Sequence, residues 1–270
     1  MKKDELIEFQ KFISNVNFES EQAYNVFYEA FTRIFPMSLL WVPIKRNSYV
    51  FRTRNNEGFD FTTFSDLIYP PIDKVTSYSR ANIPYQQVFY CSDSYESNFA
   101  ELLLSWKKEK SFNSTFYITT SIWKIMDDII VAVIPDSSNA RMLPFMNKIK
   151  QFDRTSSITA QYWNLVNSFF REDGFLNPNI YKFTSALCNA ALENLKKSGI
   201  AAQGVLYTSV QHNKGWNLAL TKETADQKLY LEDVAKYRVK LVGFYNKPEY
   251  LILEDKKQKL IDYLSKRIIW

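Results

Sequence analysis

Apolar residues near the start of the chain recur with the spacing of amphipathic helices. One stripe lies around residues 6–13, and a more regular one runs through residues 23–35, directly before Pro36. Positions three or four apart share one face of an α-helix, and proline ends a helix because its ring clashes with the preceding turn. Two helices are therefore predicted within residues 1–44, and the second stripe is too regular and too aromatic to face water.

The rest of the chain alternates between extended and helical patterns. Short runs rich in β-branched and aromatic residues predict strands over residues 49–54, 87–91, 116–125, 129–134, 204–210, 216–220 and 238–245. Helical spacing predicts a helix after an Asp93–Glu96 capping box, and further helices over residues 157–170, 180–197 and 256–269. These elements predict a mixed class, α/β or α+β.

Composition favours one folded domain with terminal additions. The 270 residues are 46% hydrophobic and 23% charged, which excludes a disordered or fibrous chain. The formal net charge is +5, but Lys and Arg are spread along the chain without a dense basic run. We interpret this charge as a mildly basic surface and expect no nucleic-acid partner.

Cysteine usage and hydropathy indicate the compartment. Cys91 and Cys188 are the only cysteines, and no secretory signal pattern opens the sequence. The longest apolar runs, such as residues 129–134, are far shorter than the roughly 20 residues that cross a bilayer. A cytoplasmic protein without a membrane span is predicted.

The chain has few histidines and glycines, and this excludes several kinds of site. His212 is the only histidine and has no acid or thiol at metal-ligand spacing, so neither a zinc site nor a Ser-His-Asp hydrolase is expected. Six scattered glycines form neither a P-loop nor a Rossmann fingerprint. No metal is predicted, and a nucleotide would have to be bound by arginine side chains.

Four segments together resemble the RES domain, a family named for its Arg, Glu and Ser. They read Tyr49-Val-Phe-Arg-Thr-Arg54, Ser79-Arg-Ala-Asn-Ile-Pro84, Val88-Phe-Tyr-Cys-Ser-Asp93 before Ala100-Glu101, and Gly204-Val-Leu-Tyr-Thr-Ser-Val-Gln211 with Gly215-Trp-Asn217. The resemblance covers residues 45–245. It implies an α+β fold similar to ADP-ribosyltransferases, with a small twisted β-sheet flanked by helices. Residues 1–44 and 246–270 would be helical N- and C-terminal additions.

The resemblance implies three catalytic residues. Arg80 matches the family arginine, Glu101 the glutamate and Ser209 the serine. Cleavage of a nicotinamide–ribose bond develops positive charge on the sugar, and a carboxylate such as Glu101 stabilises that charge. The competing interpretation is that Glu101 is a solvated helix residue and Ser209 a turn residue.

Five further residues are implied to bind the substrate. Arg52 or Arg54 matches an early arginine, and an arginine fork suits a pyrophosphate. Tyr90 offers a ring face to nicotinamide, while Asn217 and Gln211 offer hydrogen bonds. The structural interpretations are exposed strand charge for Arg52 or Arg54, a core aromatic for Tyr90 and plain loop for Gln211. Arg52 and Arg54 share one strand face, and Arg52 is favoured by its position in the family motif.

The implied activity is consumption of NAD, which is a substrate here, by an intracellular toxin. Known family members cleave NAD by hydrolysis or phosphorolysis, so a glycohydrolase and a phosphorylase both remain open. A protein ADP-ribosyltransferase and an inactive RES-fold binding module are the alternatives. The implied partners are NAD, a protein antitoxin and a second copy of the chain.

Overall fold

A computed structural model describes residues 2–34, 40–107, 114–149, 156–172, 174, 176–209, 215–245 and 247–270, excluding the side chains of residues 101, 103–107, 244, 245, 247 and 248. The α-helices are α1 (Lys3–Asn15), α2 (Ala23–Glu29), α3 (Tyr95–Lys107), α4 (Leu143–Met146), α5 (Ser157–Arg171), α6 (Ile180–Lys197) and α7 (Lys222–Lys228). Helix α2 continues as a π-helical turn, Ala30–Ile34, and two 3₁₀ turns span Phe64–Asp66 and Ile72–Lys74.

The strands confirm most of the extended segments that were predicted. They are β1 (Trp41–Ile44), β2 (Tyr49–Asn55), β3 (Val88–Ser92), β4 (Thr115–Ile125), β5 (Ile129–Val133), β6 (Gly204–Thr208), β7 (Trp216–Thr221), β8 (Leu229–Tyr245), β9 (Lys247–Lys257), β10 (Leu260–Asp262) and β11 (Arg267–Ile269). Within the described residues, β1 to β9 form one sheet in the order β1-β5-β6-β7-β3-β2-β4-β8-β9. The α+β class is confirmed, but the sheet is larger than the small sheet that was expected.

The sheet consists of two halves that meet at a narrow junction. Strand β2 pairs with β4 along its whole length, and β3 pairs with β7 along its whole length. Between β2 and β3 themselves, the register contains one residue pair, Phe51 with Ser92. The backbone N–H and C=O groups on this edge of β2 can therefore form hydrogen bonds with partners other than a strand.

The N-terminal helices are packed into the main core. Phe9, Phe27 and Phe31 are fully buried, and the ring of Phe27 meets that of Phe183 on α6 at 5.1 Å. Lys182 of α6 donates hydrogen bonds to three backbone carbonyls of the α1–α2 loop. The chain itself thus covers Ala23, Phe27, Ala30 and Phe31 of the apolar stripe, whereas Val26 and Ile34 are exposed and residue 35 lies outside the described part.

The C-terminal helix predicted over residues 256–269 is wrong. Strand β9 pairs with β8 at the edge of the large sheet, and β10 and β11 form a separate hairpin. Asp262 holds the hairpin turn by accepting hydrogen bonds from the side chain and backbone of Ser265, and Lys266 follows with a φ of 53°. The Lys, Gln, Arg and Leu residues here are good helix formers, but helix propensity is a weak preference, and strand pairing overrides it.

None of the helices in the described part of the chain is both long enough and apolar enough to cross a bilayer.

Candidate active site

A cleft of about 270 Å³ opens where the two halves of the sheet join. Strands β2 and β3 form its floor, α3 and α6 contribute residues from the sides, and the loop before β3 contributes Ser79 and Arg80. Its polar lining comes from arginines, hydroxyls and amides, and no described aspartate or glutamate side chain lines it. The described wall is therefore electropositive.

Arg52 enters the cleft from β2 and bridges to the other half of the sheet. Its Nη1 donates a 2.7 Å hydrogen bond to the Tyr90 carbonyl of β3, and its guanidinium lies 5.5 Å from the Phe89 ring centre. Burial, followed by repulsion from Arg54, lowers the pKa of Arg52 to about 10. Its Nε is buried without a hydrogen-bond partner among the described residues. The charge of Arg52 is therefore only partly compensated.

Arg80 reaches the same cleft from the loop. Its Nη2 donates a 3.0 Å hydrogen bond to the Glu172 carbonyl, and its guanidinium lies 5.5 Å from the centre of the Tyr181 ring. Its Nη1 is buried and unpaired within the described part of the chain. Tyr181 in turn packs where Gly174 has no side chain, since a Cβ there would lie 2.0 Å from the Tyr181 ring. Arg80 is thus held in place while one donor stays available.

Tyr90 fixes the loop that carries Arg80. Its hydroxyl accepts a 2.9 Å hydrogen bond from the Ala81 backbone N–H and donates a 2.8 Å bond to Asn82 Oδ1. Burial is the main cause that raises the pKa of Tyr90, so this hydroxyl stays protonated and keeps its donor. Tyr90 therefore couples the floor of the cleft to Arg80.

A row of polar side chains continues across β3 and β7. Ser92 Oγ donates a 2.6 Å hydrogen bond to Asn217 Oδ1, and these two residues are direct partners in the strand register. Tyr207 of β6 is the register partner of Asn217 on the other side and also lines the cleft. Because directly opposed residues share a sheet face, the three side chains form one polar surface.

Asp93 ties the start of α3 to the sheet. Its Oδ1 accepts from the Ser97 hydroxyl at 2.7 Å and from the Trp216 backbone N–H, and its Oδ2 binds Arg141 at 2.7 Å. The cap oxygen of α3 is that of Ser94, one residue after the predicted Asp93, and it accepts a hydrogen bond from the Ser97 N–H. Asp93 instead fixes the direction in which α3 leaves β3.

Residues 50–240, more than two thirds of the chain, match the RES domain. The chain belongs to the RES domain family. This family is known in toxin–antitoxin systems, which supports an NAD-related toxin at the family level. No curated protein matches the chain.

The structure gathers four of the residues predicted from the RES motifs into the cleft. These are Arg52, Arg80, Tyr90 and Asn217. Arg54 points elsewhere, because its Nη1 donates to the Asp66 carbonyl and its guanidinium lies 5.2 Å from the Phe61 ring centre.

The remaining RES-motif residues are not described as part of the cleft. Ser209 is 1% exposed just after β6, where its N–H donates to the Gly215 carbonyl, and it is not among the lining residues. Glu101 lies on α3, but its side chain is outside the described part, and Gln211 is outside it entirely.

Asn98, Tyr181 and Ser92 are among the cleft residues that sequence reasoning missed. Asn98 left one signal, since asparagine is a poor residue for a helix interior unless its side chain has a specific partner. Tyr181 and Ser92 left none, because their roles depend on long-range packing and strand register.

Within the described residues, no group of three or more His, Cys, Asp or Glu side chains is placed to hold a metal ion.

Proposed function

We propose that this RES-domain protein binds NAD in the cleft and cleaves its nicotinamide–ribose bond. The observation that carries the proposal is the pair Arg52 and Arg80, whose buried donors converge without a described acidic partner. A buried, uncompensated cation is costly, so such a pair is retained where an anionic ligand completes it. A pyrophosphate offers the oxygen acceptors that two guanidinium forks require.

The other lining residues fit the remaining parts of the substrate. The Tyr90 and Tyr181 rings suit the nicotinamide, and Asn217 suits a ribose hydroxyl or the carboxamide. The cleft volume of about 270 Å³ is slightly below the roughly 300–1,000 Å³ of pockets that enclose whole ligands. We therefore assign the nicotinamide half of NAD to the cleft and the adenine half to the region outside it.

Glu101 remains the proposed catalytic carboxylate. Asn98 and Leu102 of α3 line the cleft, and position 101 lies one residue before Leu102 and three after Asn98. Residues three apart on a helix are neighbours on its surface, so this spacing supports a place for Glu101 beside the cleft. Its negative charge would stabilise the cationic sugar that forms as nicotinamide leaves with the bonding electron pair. Ser209, which directly follows β6, remains a candidate catalytic residue that would form a hydrogen bond to the substrate.

The acceptor that completes the reaction is water or phosphate. Attack by water gives ADP-ribose, nicotinamide and a proton, whereas attack by phosphate gives ADP-ribose phosphate and nicotinamide. The test is incubation of purified protein with NAD, with and without phosphate, followed by chromatography of the products. Release of nicotinamide in either buffer supports the proposal, and the second product identifies the acceptor. Intact NAD after prolonged incubation in both buffers would refute it.

We further propose that the protein acts in the cytoplasm as a toxin restrained by an antitoxin protein. Induced expression should then deplete cellular NAD and arrest growth, whereas Arg52→Met should not. Growth arrest with unchanged NAD would contradict this proposal.

A further inference from the structure

One side-chain amide spans the backbone of Arg52. Asn98 Nδ2 donates a hydrogen bond to the Phe51 carbonyl, and Asn98 Oδ1 accepts a 3.1 Å bond from the Thr53 N–H. These two backbone groups directly flank Arg52. Asn98 is 8% exposed, so both hydrogen bonds are shielded from water.

This contact occurs on the edge of β2 that lies away from β4. The Arg52 carbonyl accepts a hydrogen bond from Ser121 of β4, and backbone groups of successive strand residues point to opposite edges. The Phe51 carbonyl and the Thr53 N–H therefore point toward β3. Because β2 and β3 share a single register pair, the Asn98 amide supplies the pairing that the neighbouring strand lacks here.

We propose that Asn98 is a positioning residue that acts through Arg52. By fixing the peptide groups on both sides of Arg52, it sets the direction in which the guanidinium crosses the junction to the Tyr90 carbonyl. It also anchors α3 to β2 within one helical turn of Glu101. The inference rests on the proposed function only in taking Arg52 as a group that binds the phosphates of the substrate.

A double-mutant cycle with inorganic pyrophosphate as the probe tests this inference. We expect Asn98→Ala and Arg52→Met each to weaken pyrophosphate binding about tenfold or more in calorimetric titrations. If Asn98 acts through Arg52, the double variant should bind as weakly as Arg52→Met alone, to within about twofold. The proposal would be overturned if the loss of pyrophosphate affinity in the double variant equalled the product of the two single losses. It would also be overturned if Asn98→Ala bound pyrophosphate with the parental affinity.

The control is a second buried amide outside the cleft. Asn56 is 4% exposed, and its Nδ2 donates a 2.7 Å hydrogen bond to Thr119 Oγ1. Asn56→Ala should lower the melting temperature but leave pyrophosphate binding unchanged, which separates positioning from general stability. Should Asn98→Ala not fold, the uncharged Asn98→Ser replaces it in the cycle, since a serine hydroxyl is too short to bond to both the Phe51 carbonyl and the Thr53 N–H.

The outcome is distinguishable from failure of the proposed function. Pyrophosphate binding does not require NAD cleavage, so a protein that leaves NAD intact can still show the predicted cycle. A parent protein that does not bind pyrophosphate would remove the anion-binding role of Arg52 and with it the role of Asn98.

Discussion

Replacing Arg52 with methionine should separate stability from function. Burial lowers the pKa of this guanidinium from its ordinary value to about 10. At about 1.36 kcal/mol per pKa unit, the charge costs the folded state on the order of 3 kcal/mol at neutral pH. Arg52 is charged in both folded and unfolded states below pH 10, so this cost is fully present at neutral pH. It is relieved only as the pH rises through about 10.

Two interactions offset part of that cost. The charged hydrogen bond to the Tyr90 carbonyl is worth roughly 1.5 kcal/mol, and the contact with the Phe89 ring roughly 0.5 kcal/mol. Arg52→Met keeps an apolar stem of similar length, so the net gain in folding free energy should be about 1 kcal/mol. For a chain of this size, the melting temperature should rise by about 2–4 °C.

The same substitution should weaken NAD binding. A charged hydrogen bond to phosphate is worth about 1.5–3 kcal/mol, which predicts a Kd that is roughly 10- to 100-fold higher. Thermal melting without ligand and calorimetric titration with NAD measure the two effects. Arg54→Met is the matched control, because Arg54 shares the strand face but is bound to the Asp66 carbonyl. A lower melting temperature together with an unchanged Kd in Arg52→Met would refute this reasoning.

Three further predictions concern the loop, helix α3 and the N-terminal helices. Arg80→Lys should raise the Kd for NAD about tenfold or more in calorimetry, because an ammonium cannot both lie on Tyr181 and present a fork to phosphate; an unchanged Kd would remove Arg80 from the site. Glu101→Gln should slow nicotinamide release by about 10²-fold with little change in affinity, and a folded variant with the parental rate would exclude the carboxylate mechanism. Deletion of residues 1–40 should abolish the cooperative melting transition, because each buried aromatic such as Phe27 contributes roughly 1.5–3 kcal/mol. A truncated protein with the parental melting temperature would contradict the packing described here.

Sequence patterns predicted elements well where local spacing and tertiary packing agree. Helix α6 has the predicted bounds, and β2, β4 and β7 differ from the predicted segments by one residue at an end. The prediction for the C-terminal segment was wrong because its good helix formers became part of an edge strand and a hairpin, where strand pairing overrides helix propensity. Its structure depends on β8, whose first half, from Leu229, carried no recognised strand signal.

The cleft could be predicted only in part. Motif positions pointed to Arg52, Arg80 and Tyr90, but not to what holds them. Tyr90 anchors the loop through its hydroxyl, a role that the motif did not indicate. Asn98 could not be found from spacing alone, because its role arises from the single pairing between β2 and β3.

We propose that NAD is cleaved in this cleft. The most direct test of this proposal is the initial rate of nicotinamide release at NAD concentrations below KM. The parent protein, Arg52→Met and Arg54→Met are compared in one buffer by chromatography. We expect the parent and Arg54→Met to release nicotinamide at rates within about threefold of each other. We expect Arg52→Met to release it at least about tenfold more slowly. Release by folded Arg52→Met at the parental rate, or no release by the parent, would contradict the proposal.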